Sequence, residues 1–393
     1  MRTIEPCKVK GLKVKGLKVK DQRLCGAVRA VKGQRLKVNT HCLMFNVTFL
    51  FAFHFSLFTF SAPFAVEKKK SMIKIYDVSA KDNLTIDNQF GQVKVNLWDK
   101  SEIRVDITIT ANSSSEDRAQ RYLNSVDIVE KKAGDQISLR TTIDKQESAS
   151  GWSWAWNNSK DEKNQVQIDY VVSMPKNNAL TVRNRFGNTN IPFFKAPLIV
   201  ESKYGSFVAN ELSGSKNDID VAYGKAEIQD MDNGNLDISY SSLDLENAKV
   251  LIINNRYGKM KIGSVDKIDG KLGYSGGRIG MLKGSCNLKL DFSGGFKIDQ
   301  MATSADNVDI QASYSSVTIP VENNDCSFDV TVTHGGFRYG NDRKVSFTQN
   351  DEEKDKEEGR RGPRFTKQYI GKMGKGNGTK VKIVSKFGEV SLK

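Results

Sequence analysis

The feature that most constrains this chain is a two-residue mark, an aromatic followed by Gly or Ser, that returns at nearly constant spacing. It occurs at Phe186-Gly187, Tyr204-Gly205, Tyr223-Gly224, Tyr240-Ser241, Tyr257-Gly258, Tyr274-Ser275, Phe292-Ser293 and Tyr314-Ser315. Successive aromatics stand 18, 19, 17, 17, 17, 18 and 22 residues apart. His334-Gly335 comes 20 residues later, Phe387-Gly388 closes the series after a long interruption, and Phe90-Gly91 stands early as an outlier. A unit this short holds too few apolar side chains to fold alone, so neighbours must bury each other's faces.

Around each mark the apolar residues alternate. Ile219 and Val221 precede Tyr223, Leu236 and Ile238 precede Tyr240, and Val308, Ile310 and Ala312 precede Tyr314. They resume three and five positions later, as Ala226 and Ile228, Leu243 and Leu245, Met260 and Ile262, and Val317 and Ile319. A period of two means a strand with one buried face. The step of three across the mark breaks that phase, so the chain must bend there, and the small residue is expected to take the unusual backbone angle. The pattern slips by one at Phe292, where Phe296 and Ile298 take the inward roles. Each repeat then reads as two or three short strands joined by turns such as Asp232-Asn233-Gly234. Stacking places equivalent strands about 4.8 Å apart. The expectation is an all-β protein, a β-solenoid of 17–20-residue repeats, with a β-sandwich or long meander as the runner-up. Cys286 and Cys326 each lie 12 residues after a mark, two repeats apart. They are expected at equivalent places roughly 9.6 Å apart, too far for a disulfide.

The repeat region is assigned to 181–393 and a less regular β-rich part to 72–180. In the latter, strands are read at Val93 to Leu97, Ile103 to Ile109, Ile137 to Ile143 and Val166 to Met174. Ala119, Tyr122, Leu123 and Val126, after a run of serines, are spaced as one face of the single expected helix. Residues 349–380, charged and glycine-rich, read as an insertion loop before the last strands, Val381 to Leu392. Trp152, Trp154 and Trp156 alternate in a polar setting and would form one aromatic face, either a binding surface or the edge of a core.

The formal charge of +14 suggests a nucleic-acid binder until its distribution is seen. Residues 1–40 hold 12 Lys or Arg against 2 Asp or Glu, whereas the other 353 hold 48 against 44. The body is nearly balanced, so no nucleic-acid partner is expected. The leader repeats KVKGL and reads as disordered or as no part of the true protein. Residues 41–66 contain the apolar run Leu43 to Phe60 and read as a signal peptide, with an uncleaved membrane anchor as the rival. Export to the periplasm or surface of a bacterium follows, with membrane contact only through this segment. Two cysteines beyond it cannot make a disulfide framework.

No catalytic, cofactor-binding or metal-ligating residue is assigned. Gly273-Tyr274-Ser275-Gly276-Gly277 matches G-x-S-x-G, but that chemistry needs a strand–turn–helix context and a histidine base. Here the strand repeat simply continues, and His334, the one histidine past the signal, occupies a repeat's aromatic position. Asp230 to Asn235 lacks the spacing and terminal Glu of a calcium loop and reads as a turn. The ladder residues Phe186, Tyr204, Tyr223, Tyr240, Tyr257, Tyr274, Phe292, Tyr314 and Phe387 read first as structural. Facing outward, they would make a ribbon suited to a glycan or a protein.

NQFGQVKVNLWDKSEIRVDITIT, VQIDYVVSMPKNNALTVRNRFGNTNI, the ladder of marks and GTKVKIVSKFGEVSLK resemble the bacterial putative-adhesin β-strand-repeat family, exported domains of unknown function. The resemblance spans roughly Ile73 to Lys393 and implies surface attachment, with no catalytic residues to carry over. The leader and the 349–380 segment depart from the family's pattern. The expected function is an exported, non-enzymatic, adhesin-like binding module of the cell envelope, its partner an unidentified envelope protein or glycan. The alternatives are a structural or signalling-linked envelope protein with a protein partner and, third, a β-helical carbohydrate-active enzyme.

Overall fold

The computed structural model describes residues 66–144, 165–340, 344–357, 359, 362 and 364–393. The leader, the apolar segment and Trp152, Trp154 and Trp156 lie outside them. Among the described residues the protein is all-β, with 25 strands and two short helices.

The strands pair in two series. One gathers the segments that precede each aromatic mark: Asn83–Gln89, Ala179–Arg185, Leu198–Lys203 and Asn217–Ala222 lie side by side and parallel. The other gathers the segments that follow: Val93–Trp98, Thr189–Phe194 and Ser206–Leu212. From Lys225 to Asp291 four strands of 15 or 16 residues belong to both series at once. Alternate side chains of both series bury themselves in one hydrophobic core, as the period of two requires. Columns through that core are continuous: Ile219, Leu236, Ile253, Gly270, Leu288, Ile310 and Ile383 follow one another in register.

The expected turn at Asp232-Asn233-Gly234 is not a turn. Asn233 and Gly234 stay in parallel register with Val250 and Leu251, so the strand Lys225–Ser239 bends there without losing its ladder. Backbone groups that keep partners in the next repeat need no separate turn to satisfy them. The slip at Phe292 appears as read, with Phe296 opposite Gly277 and Ile298 opposite Ile279. Gly277 is small for a packing reason: a Cβ there would come within 3.0 Å of the Phe296 ring.

Both ends abandon the parallel pattern. Val66–Asp77, Glu102–Ser113 and Gln165–Pro175 are antiparallel, as is the hairpin of Val126–Ala133 with Gln136–Ile143. The helix Glu116–Asn124 lies here, capped by the Ser115 side chain and burying Ala119 and Leu123. Val66–Asp77 pairs on one side only among the described residues, so the network stays open. Its Lys68, Lys69, Lys70 and Lys74 discourage edge-to-edge pairing.

At the other end the 349–380 segment is more than a loop. It holds a helix, Asp351–Glu357, and the strand Thr366–Met373, which pairs antiparallel with both Cys326–Thr333 and Val345–Asn350. The order of stacking also departs from chain order. Thr379–Lys386 slots between Asn307–Ser313 and Cys326–Thr333. That displaces Cys326 from the expected place. Cys286 shares a column with Val308, Val381 and Phe328, while Cys326 sits opposite Thr379. Both cysteines are buried, and burial pushes the thiol of Cys286 far above its ordinary range.

Candidate functional site

The aromatic marks fall on one edge, where the chain passes from one strand series to the other. Every non-glycine residue with positive φ among the described residues is a mark aromatic: φ runs from +50° to +62° at Phe90, Phe186, Tyr204, Tyr223, Tyr240, Tyr257, Tyr274, Phe292, Tyr314, His334 and Phe387. The unusual angle was expected on the small residue, and it belongs to the large one. The left-handed conformation turns the chain sharply at the ring, and the small residue then lies against the neighbouring repeat. A Cβ on Gly205 would stand 2.0 Å from the Gly187 carbonyl oxygen, and one on Gly258 would stand 1.9 Å from that of Ser241. At these two positions glycine is what permits the close approach. Where serine replaces it, the hydroxyl joins the ladder: Ser241 Oγ accepts from the Gly224 N–H at 3.0 Å and donates to the Ser239 carbonyl at 2.8 Å. Ser275 repeats this with Gly258 and Gly273, so the serine of the G-x-S-x-G match is a buried structural hydroxyl.

The rings form one unbroken stack in the order Phe90, Phe186, Tyr204, Tyr223, Tyr240, Tyr257, Tyr274, Phe292, Tyr314, Phe387 and His334. Neighbouring centroids are 4.7–5.1 Å apart and the rings are within 18° of parallel. Phe365 leans on His334 at 35°. Phe90, an outlier in sequence, is thus the first rung, and Phe387 comes before His334. The sequence carried the signal for Phe90 in its Gly91 but not its neighbour, because 96 residues separate it from Phe186.

Stacking seals the ring faces and leaves the edges out. Tyr223, Tyr240, Tyr257, Tyr274 and Tyr314 are each about half exposed, between 48% and 55%. Their hydroxyls have no hydrogen-bond partner among the described residues, so they point to solvent with donor and acceptor free. Beside the stack runs a shallow, open groove of ≈ 540 Å³ lined by Tyr240, Tyr257 and Tyr274 together with Gly224, Ser241 and Gly258, and bordered by Ser242 and Lys259.

Charge along this edge is uneven. The column just before the rings carries Arg185, Lys203, Arg256, Asp291 and Lys386; the column just after carries Lys225 and Lys259, with Glu389 further along. Asp291 and Glu389 are paired to Lys289 and Arg338. Arg256 and Lys225 are paired to Asp237 and Glu227. Arg185, Lys203, Lys259 and Lys386 form no ion pair among the described residues. Acidic groups gather instead on the outer face of the preceding strands. Glu201, Asp220 and Asp237 form a column there, and desolvation pushes the Asp220 carboxyl above its ordinary value, opposed by the nearby Lys203 ammonium and aided by Asp237 and Glu201.

The remaining candidate motif makes no site. Asp230 accepts from Asn247 at 2.9 Å and Asp232 pairs with Lys249 at 2.8 Å, contacts that tie adjacent repeats together. Among the described residues no helix is long and apolar enough to cross a membrane.

No known family profile matches the sequence, and no curated protein matches it. Solved structures similar to it include a putative adhesin from Parabacteroides merdae, 14% identical over 82% of this chain and 96% of that one, with a TM-score of 0.27. A putative adhesin from Bacteroides fragilis is 10% identical over 82% and 97%, with a TM-score of 0.26, and a putative lipid binding protein from Parabacteroides distasonis is 11% identical over 82% and 97%, with a TM-score of 0.24.

Proposed function

We propose that this chain is an exported, non-enzymatic, adhesin-like binding module of a bacterial cell envelope, in which the repeats wind as a β-solenoid and the aromatic edge meets the ligand. One observation carries the reading: every repeat places a large ring at the one backbone position where glycine would be unstrained. A left-handed non-glycine residue costs roughly 1–2 kcal/mol, and a stacked aromatic pair returns roughly 0.5–1.5 kcal/mol. The two nearly cancel, so the turn alone gives no reason to keep the ring. What the ring adds is a continuous row of half-exposed ring edges, with free hydroxyls at Tyr223, Tyr240, Tyr257, Tyr274 and Tyr314. Strain held at a repeated, solvent-facing position points to use of that surface. Trp152, Trp154 and Trp156 belong to the same proposal as a second aromatic surface.

The test is retention of the full chain on immobilised envelope polysaccharides and on whole bacterial cells, compared with a Tyr223→Gly, Tyr240→Gly, Tyr257→Gly variant. Glycine removes three rings without adding strain, so the variant keeps its fold, checked by circular dichroism. Retention is expected to drop at least about tenfold, the loss of roughly 1.4 kcal/mol of contact. A folded variant retained as well as the parent chain would defeat the reading.

A further inference from the structure

The chemistry of the ridge narrows the ligand class. A neutral sugar stacks on the face of an aromatic ring, and every face within this stack already meets another ring at 4.7–5.1 Å. Nucleic-acid bases need the same free faces. What remains is ring edge, the electropositive part of the aromatic quadrupole, together with phenol donors. Of the charges beside the rings, Arg185, Lys259 and Lys386 are cations without an ion pair among the described residues, while the acids Asp291 and Glu389 have partners of their own. Edge, hydroxyl and ammonium all favour an anion.

The groove decides the shape of that anion. It is an open, shallow strip that follows Gly224, Ser241 and Gly258 along the rings, the shape of an extended chain. The main-chain groups of Gly224 and Gly258 are committed to neighbouring repeats. The N–H groups of Gly224 and Gly258 donate to Ser241 and Ser275 Oγ, and the carbonyls of Gly224 and Gly258 accept from Ser242 and Gly276 at 3.3 Å. An extended peptide, which binds by adding a strand, finds no backbone partner at these two glycines. A chain held by side-chain hydroxyls and charges does. We propose that the groove beside Tyr240, Tyr257 and Tyr274 takes a linear acidic polysaccharide, with Lys259 at its border holding the carboxylates or sulfates. This rests on the binding role proposed above for the same edge.

The experiment measures binding of end-labelled polygalacturonate and heparin to the full chain by fluorescence anisotropy. Methyl-esterified polygalacturonate, dextran, single-stranded DNA and phosphatidylglycerol vesicles serve as the other arms. The acidic glycans should bind at least about tenfold tighter than their neutral counterparts and weaken as salt rises. A Lys259→Ala variant should lose about two- to fivefold, and Tyr240→Phe, which keeps the stack and deletes one hydroxyl, about two- to threefold. Equal binding of the neutral and acidic glycans, tighter binding of DNA or vesicles, or no effect of the lysine variant each overturns the acidic-glycan assignment. The wider binding role survives those outcomes as long as the ring-free variant loses retention on cells. Loss of neither would sink both.

Discussion

The middle of the molecule and its ends obey different rules. From Leu198 to Asp291 each repeat lies on the one before it, parallel and in chain order. At both ends the strands turn antiparallel, and at the C-terminal end the last strands of the chain are inserted ahead of Cys326–Thr333. A repeat with matching upper and lower surfaces has no intrinsic reason to stop. Ends must present a different surface, or further chains would add to it. The contrast teaches that repetition builds the body and that irregularity terminates it.

Removing Thr379 to Lys393 tests the contrast most severely. It takes away the layer between Asn307–Ser313 and Cys326–Thr333. Hydrogen exchange should show protection lost across 307–373 while 198–273 stays protected, the pattern of a stack stabilised by nearest neighbours. Uniform loss would show that centre and end are one cooperative unit.

Within the centre, Gly258→Ala should lower stability by about 3 kcal/mol or more, because backbone oxygen at 1.9 Å cannot yield without parting two repeats. Gly276→Ala, with nothing near its added Cβ, should stay within about 0.5 kcal/mol of the parent. Denaturation midpoints distinguish them. Ile253→Ala in the central core should cost about 2–4 kcal/mol, whereas Val129→Ala, 47% exposed on the terminal hairpin, should cost well under about 1 kcal/mol.

The aromatic edge gives a smaller effect with a distinctive sign. Tyr240→Ala loses contact with Tyr223 and Tyr257, costing about 1–3 kcal/mol. Tyr240→Gly should be less damaging than Tyr240→Ala by about 0.5–1 kcal/mol, since glycine takes φ +50° without strain. The reverse order would refute the strain argument.

Smallest is an acid effect at the N-terminal end. The Lys74 ammonium, 2.6 Å from Glu130, and then the Tyr76 hydroxyl at 2.8 Å hold the Glu130 carboxyl below its ordinary 4.5. A lowered folded value means stability present above the unfolded value and lost as pH falls through the folded one. The group is about a third exposed, so the loss should be only a few tenths of a kcal/mol, roughly the worth of a screened pair. Melting curves between pH 5 and pH 2.5 should show it, and Glu130→Gln should remove that contribution.

Much of the body was legible because its physics is local. Alternation before Tyr240, resumption at Leu243 and Leu245, and the slip to Phe296 each follow from which face of a strand is buried, and each appears in the register. The helix after Ser115 was legible for the same reason, through its Ala119–Leu123 face, although Val126, read as part of that face, begins the strand Val126–Ala133 instead. The strand Thr366–Met373 was not. Its composition is charged and glycine-rich, and it is a strand because Cys326–Thr333 and Val345–Asn350 flank it. Of the candidate site, the ring positions could be read directly. The groove and its unpaired Lys259 could not, since they exist only where three repeats lie side by side.

By itself the sequence determined the repeat, its inward faces and the all-β class, because burial periodicity and spacing are written residue by residue. Only the tertiary structure decided that the ring and not the glycine takes the left-handed angle, that Phe90 begins the stack, and that Phe387 precedes His334. The physical reason is that these depend on contact between segments far apart in the chain. A local pattern specifies which side a residue faces, but not which neighbour will be there to meet it.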